Sequence, residues 1–272
     1  MESDGEGGEG GSRKELELGF TEIETKSEAL SRAEVFHIVK GVIGFVLFMH
    51  NQIPLILQDL ENGFTSLKKE LEILVESGLP PESKQPEIRK YNMRKKEVKN
   101  EIKKHEKLMK GISNQLFALQ EALDSISSIE EVRLVIGGSL VRPLYVYDMQ
   151  FSVGKFCSGT AKEGAVSKVA QTLSKKAIRA LVSNGAGSSK HTGPSKLFLL
   201  IKGPSNFNMP LQFLPKRDLR YSKKATQFGL HVKCRCVASQ KGDDDSLDPN
   251  DVIWFQCRHA VKGLACKKVE EC

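Results

Sequence analysis

The sequence predicts an α+β protein, with helices packed against a largely antiparallel sheet. Two observations carry that prediction. From about Glu28 to Ile126 apolar residues recur at steps of three and four, and from Glu131 onward the dominant period is two. The helical period returns once, from Ala165 to Val182, between strand-like segments.

Residues 1–27 are Gly-rich and poor in apolar side chains, and read as a disordered acidic tail ahead of a single domain over 28–266. The first helix runs from about Glu28 through Ala29, Ala33, Phe36 and Val39 into the dense run VIGFVLFM, and stops before Pro54. That run is far shorter than the roughly 20 residues a bilayer needs, so it reads as a buried helix. A second helix fits Phe64 to Val75, with Leu67, Leu71, Leu74 and Val75 on one side and Ser77-Gly78 and Pro80-Pro81 to end it. The third has the strongest pattern: Ile102, His105, Met109, Ile112, Leu116, Leu119, Leu123 and Ile126. Its first half is rich in lysine and its second nearly uncharged, as for a helix that enters from solvent and ends in the core.

EVRLVIGG (131–138) and LYVYDMQF (144–151) read as a strand hairpin, with Gly137, Gly138 and Pro143 in its turn. LFLLI (197–201) is a short apolar strand. In 228–237, Phe228, Leu230, Val232, Cys234 and Cys236 alternate with His231, Lys233 and Arg235. DVIWFQ (251–256) follows the acidic loop GDDDSLDPN, and the only tryptophan, Trp254, is expected to be buried and to close the core. FLPKRDLR (213–220) reads as an exposed loop between strands, stiffened by Pro215.

Net charge is +7, but residues 1–30 hold nine acids against three bases, while 84–110 hold eleven bases against four acids. That segregation gives an acidic tail and one basic face. The start of the chain shows no secretory signal, and six cysteines in 272 residues do not make a small disulfide scaffold, so free thiols in a reducing compartment are expected.

Catalytic and metal patterns are weak. Cys234 and Cys236 have one residue between them, whereas structural zinc pairs are spaced by two to four. Both lie on the apolar side of a strand, where a thiol acts as a small hydrophobe. Gly137-Gly138-Ser139 lacks the rest of a phosphate loop. Asp148 has no second carboxylate at a useful spacing in the sequence. Neither a catalytic residue, a metal ligand nor a cofactor is assigned. The lysine-rich segment 89–107 has the composition to attract nucleic acid, the alternative function, but it offers one aromatic, Tyr91, and its glutamates interleave as on a solvated helix.

The order of elements resembles the HORMA domain, and LVIGGSLVRPLYVYDMQFSV (134–153) is similar to the hairpin after that family's central helix. MHNQIPL (49–55), FLPKRDLRYSKK (213–224), IWFQ (253–256) and VKG (261–263) resemble segments of the Comet-type mitotic-checkpoint HORMA-binding proteins. The resemblance spans about residues 30–265. It implies a HORMA-like fold, with three N-terminal helices on the sheet and a self-closed C-terminal segment. It implies an adaptor rather than an enzyme, one that presents a closed-form checkpoint or meiotic HORMA protein to a hexameric AAA+ ATPase. It places ATPase binding at Pro215 and Lys216, and client binding at Met49, Ile178 and the exposed side of the central helix. Where animal members carry a polar residue this chain has Met49, and Ile178 replaces an aromatic. The implied setting is the nucleus, at kinetochore, spindle or meiotic chromosomes, and also the cytoplasm.

Overall fold

The computed structural model describes residues 20–25, 30–80, 82–126, 129, 131–152, 168–188, 193–217, 219–222, 224–234 and 252–264. They form four helices and one mostly antiparallel eight-stranded sheet, an α+β arrangement. Among the described residues no helix is long and apolar enough to cross a membrane.

Helix α1 (Arg32–Met49) opens on a reciprocal cap: the Glu34 amide donates to Ser31 Oγ, and the Ser31 amide donates to the Glu34 carboxylate at 2.8 Å. Val35, Ile38, Val39, Val42, Ile43, Val46 and Leu47 are all buried, since the helix packs on both α4 (Lys168–Ser183) and α3 (Gln85–Ser125). Helix α2 (Leu57–Ser77) starts earlier than its apolar pattern predicts and buries only Leu60. α3 is 41 residues long, about 60 Å at 1.5 Å per residue. It begins well before the predicted apolar stripe, because lysine, arginine and glutamate sustain a helix without burial. This charged half of α3 runs antiparallel to α2: Tyr91 Oη donates to Leu74 O, and Arg94 meets Glu70 at 2.6 Å.

Strands β2 (Glu131–Gly137) and β3 (Pro143–Ser152) form the predicted hairpin, with Arg133 opposite Asp148. β4 (Lys196–Pro204) lies on the other side of β2, β7 (Val252–Cys257) on β4, and β5 (Phe213–Lys216) on β7, all antiparallel. β8 (Val261–Lys262) returns to β4 in line with β7. β6 (Thr226–Lys233) runs parallel to β3, and β1 (Phe20–Glu24) parallel to β6. Three expectations are corrected here. Phe20–Glu24 is not tail but an edge strand, held by Ile23 in the core and by Glu22 against Lys233. Phe213–Lys216 is not loop but strand. Trp254 is half-buried on the sheet face away from the helices, while its neighbours Phe255 and Cys257 close the core. Burial pushes the Cys257 thiol up to about 11. Residues 1–19, the acidic loop 242–250 and Cys236, Cys266 and Cys272 lie outside the described residues.

Helices cover one face of the sheet. The other carries a small second core of Val135, Val146, Phe198, Leu200 and Ala225. What covers this core is the connection from β5 to β6. Following the ladders, Lys216 is level with His231, five residues beyond Thr226 and five strand intervals away. Strand spacing and rise make that gap about 24 Å across and about 17 Å along, roughly 29 Å diagonally. Ten residue steps reach about 33–36 Å when fully extended. The connection therefore has the length to act as a strap across this face, where its Leu219, Tyr221 and Ala225 pack at the second core and the Ala225 amide turns back to Ser222 O at 3.4 Å.

A second tie joins the end of α1 to the C-terminus. Gln52 is 1% exposed, donates to His50 O at 2.6 Å and Gly193 O at 3.2 Å, and accepts from the Ser195 amide at 2.6 Å. Its carbonyl accepts from the Leu264 amide at 2.8 Å. A Cβ on Gly263 would stand 2.1 Å from Gln52 Oε1, so only glycine fits there. The segments MHNQIPL and VKG thus touch each other. Gln52→Ala should destabilise the protein by about 1–3 kcal/mol by orphaning the Ser195 amide, and Gly263→Ala by about 1–3 kcal/mol through overpacking. Denaturant midpoints check both, and an unchanged midpoint for either removes this tie.

Candidate functional site

β5 is a strand despite its proline because it is an edge: the missing N–H faces away from the ladder. Phe213, 2% exposed, anchors it against Phe207, whose ring also packs edge-on to Phe255. Successive residues alternate faces, so Phe213 and Pro215 lie toward the helix side and Leu214 and Lys216 toward the strap side. Pro215 is exposed and Lys216 half-exposed. A partner that contacts both must reach around the edge of the sheet. Proline at this edge also blocks pairing with a further strand.

Across the ladder from Lys216 is Trp254. Its ring centroid is 4.3 Å from the Arg133 guanidinium carbon, which is 5.4 Å from the Tyr221 ring on the strap. Arg133 bonds the Asp148 carboxylate and lies 3.3 Å from Glu131, which Lys202 approaches at 3.5 Å. Sequence spacing left Asp148 isolated. Register brings a second carboxylate to the same guanidinium, a pairing visible only once Arg133 is placed opposite Asp148. Burial pushes the Asp148 carboxyl above its usual range, with Arg133 opposing. Burial and then the Asp148 charge push Glu131 up. Burial lowers Arg133, but Asp148 outweighs it and leaves the guanidinium raised. The cluster locks β2, β3, β7 and the strap together behind Lys216.

Met49 and Ile178 sit elsewhere, in the seam between α1 and α4. Met49, the last residue of α1, is half-buried against Gly187, where φ is 87° and a Cβ would come 2.3 Å from Met49 Cε. Ile178 is half-buried on α4 beside Gly41 of α1. It is neither fully exposed nor core, and Lys175, Lys176 and Arg179 around it are exposed. On the central helix, Phe117 is 58% exposed. α4 packs near β1 and β6, at the opposite end of the sheet from β5. Met49 and Ile178 thus lie at two levels of the same α1–α4 seam, since Ile178 meets Gly41, eight residues or about 12 Å up α1 from Met49, while Pro215 and Lys216 are neighbours on β5. Among the described residues no three His, Cys, Asp or Glu side chains cluster to hold a metal. No protein-family model matches the chain, and a search of the curated proteins finds no match.

The raised Glu131 carboxyl carries a pH prediction. A raised folded-state value means its contribution to stability is present at low pH and is lost as pH rises through that value. Glu131→Gln should therefore unfold at equal or higher denaturant than wild type at pH 7, with the difference shrinking toward acid. A mutant that is weaker at pH 7 would mean that Arg133 and Lys202 outweigh desolvation.

Proposed function

We propose that this protein is an adaptor that binds a closed HORMA-domain protein, of the checkpoint or the chromosome axis, and presents it to a hexameric AAA+ ATPase for remodelling. One observation carries the reading. The C-terminal strand β7 fills the slot between β4 and β5, clasped by a strap that runs from β5 behind the sheet to β6. A self-filled slot of this kind is what the resemblance to Comet-type proteins implies. Spatial separation supports it further, because Ile178 on α4 lies toward the β1–β6 end of the sheet and Pro215 and Lys216 lie at the β5 end. An adaptor needs two partners bound at once. In this reading the protein works in the nucleus, at kinetochore, spindle or meiotic chromosomes, and in the cytoplasm.

The ATPase contact falls on the β5 edge. Pro215 keeps the edge stiff and unpaired, and Lys216 offers one cation backed by the Arg133 cluster. Pro215→Ala with Lys216→Ala should leave melting within about 0.5 kcal/mol of wild type, since neither side chain is buried. The double mutant should lose at least about 30-fold in ATPase affinity, from an interfacial charge worth about 2 kcal/mol or more. ATPase-driven conversion of the closed client is the measurement. If the double mutant stimulates conversion as well as wild type, the β5 edge is not the ATPase contact.

The client contact falls on the α1–α4 seam and the exposed side of α3. Ile178→Glu should weaken client capture and also destabilise by about 1–3 kcal/mol, because the residue is half-buried. Lys175→Glu with Arg179→Glu should weaken capture at almost no cost in stability. Pull-downs beside thermal melts separate the two, and full capture by both variants would sink the assignment.

A further inference from the structure

α3 and the C-terminal segment enclose a cleft of about 960 Å³ that the adaptor reading does not use. That volume is in the range of small-molecule sites, roughly 300–1,000 Å³. One wall is the stretch 101–114 of α3; the other is the bend at 258–260 and β8. The walls meet at the bottom, where a Cβ on Gly111 would stand 3.8 Å from Val261 Cα. Gln115, fully buried, donates to His259 O at 3.0 Å and pins the bend. The backbone of the second wall is already engaged: the Gly263 amide donates to Ser195 O at 2.9 Å and the Leu264 amide to Gln52 O at 2.8 Å. What the cleft offers a ligand is therefore its side chains.

Those side chains are cationic. Lys104, Lys107 and Lys110 step by three along one side of α3, with Cβ atoms about 5–6 Å apart. Arg258 and Lys262 line the other wall. Glu101 is the one acid among the described lining residues. Among the described residues none of these five Lys and Arg side chains forms a salt bridge. Five cations against one acid leave four positive charges in the cleft that no described residue balances. Like charges at this spacing repel and weaken a helix, a cost that a bound anion removes. The three lysines span about 9 Å along α3, so their charges converge on one ligand of small-molecule size.

We propose that this cleft binds a compact polyphosphate, several phosphate groups carried on one small scaffold. A phosphate monoester carries about −1.5 to −2 at neutral pH, so two or three of them balance the four charges, where a single carboxylate leaves most of them bare. Lysine holds phosphate as a point charge, and the Arg258 guanidinium can fork two of its oxygens. Leu108, Ala260 and Leu264 give the scaffold an apolar surface to lie on. Nucleic acid is the poorer fit, because no Phe, Tyr or Trp lines the cleft for bases to stack on. A free polyphosphate and the headgroup of a polyphosphorylated lipid present the same chemistry, and the test separates them. This inference does not depend on the adaptor reading.

The test is a calorimetric titration of the full-length protein with myo-inositol hexakisphosphate, at about 0.15 M salt, where charges more than about 8 Å away are screened. One saturable site per chain is expected, weakened at least about tenfold in Lys107→Glu with Lys110→Glu. Both lysines are exposed, so the fold should survive. Should that variant unfold, Arg258→Glu with Lys262→Glu on the opposite wall reads the same loss. Lys96→Glu with Lys99→Glu, exposed on the same helix but outside the cleft, should bind as wild type does. Co-sedimentation with phosphatidylcholine vesicles that contain phosphatidylinositol 4,5-bisphosphate identifies the source. Recovery that the hexakisphosphate displaces means a lipid headgroup, and no recovery means a free polyphosphate. No saturable binding, indifference to charge reversal in the cleft, or an equal loss in the Lys96 and Lys99 variant overturns the proposal. Tighter binding of an oligothymidylate through the same lysines overturns it in favour of nucleic acid.

Discussion

The strap from Lys216 to Thr226 is the constraint on which the rest of the sheet depends. In ten residue steps it crosses five strand intervals, from the β5 edge to the start of β6. Its Leu219, Tyr221 and Ala225 pack at the second core, which ties the end of β5 to the start of β6. β5 in turn closes the outer side of β7, so the C-terminal strand is held between β4 and β5 rather than left on an edge. Such a sheet is assembled from contacts far apart in the chain, and its closing pieces have few local alternatives once the strap is placed.

The polar cluster behind the strap belongs to the same constraint. A bare aromatic strap residue such as Tyr221 would slide over an apolar sheet. Arg133 gives it a fixed point, and Trp254 of β7 stacks on the same guanidinium. Asp148 and Glu131 keep that guanidinium in place, at the cost of holding two carboxylates against burial. Ionic groups of this kind contribute position more than net stability. Gln52 plays the equivalent part at the far end of the C-terminal segment. Its amide joins the end of α1, the start of β4 and the residues after β8, in space kept free by Gly263. Clamped at Trp254 and again at Gly263, the C-terminal segment behaves as part of the sheet.

Under the proposed adaptor reading, the two contacts fall on separate parts of one body. Pro215 and Lys216 ride on a strand anchored by Phe213, not on a free loop, so their geometry is set before any partner arrives. Rigid presentation lowers the ordering cost of binding. The alternation of a strand also puts the two side chains on opposite faces, so the proposed ATPase would contact both only by wrapping the edge. Met49 and Ile178 are tuned differently. Each is half-covered in the α1–α4 seam, so any surface they offer is narrow, and Lys175, Lys176 and Arg179 of α4 are exposed around Ile178.

Periodicity alone determined most of the elements. Apolar steps of three and four specified α1, the inner half of α3 and α4, and steps of two specified β2, β3, β4, β6 and β7, because burial on one face imposes those periods locally. The end of the first helix before Pro54 and the hairpin between β2 and β3 were legible from proline and glycine chemistry. Elements that are not half-buried carry no such mark. The outer half of α3 lacks an apolar stripe where it lies along α2 through Tyr91 and Arg94, and the strand at Phe20–Glu24 is too short and acidic to stand out from a tail. FLPK reads as loop because proline opposes a strand everywhere except at an edge, and edges are assigned by tertiary structure. The same holds for the candidate sites. Which residues are basic, stiff or apolar is written in the sequence. That Glu131 shares Arg133 with Asp148, that Gln52 fills the space over Gly263 and that Trp254 lies on the outer face were decided by strand register and by the strap. Those depend on contacts between residues tens of positions apart, which no local pattern records.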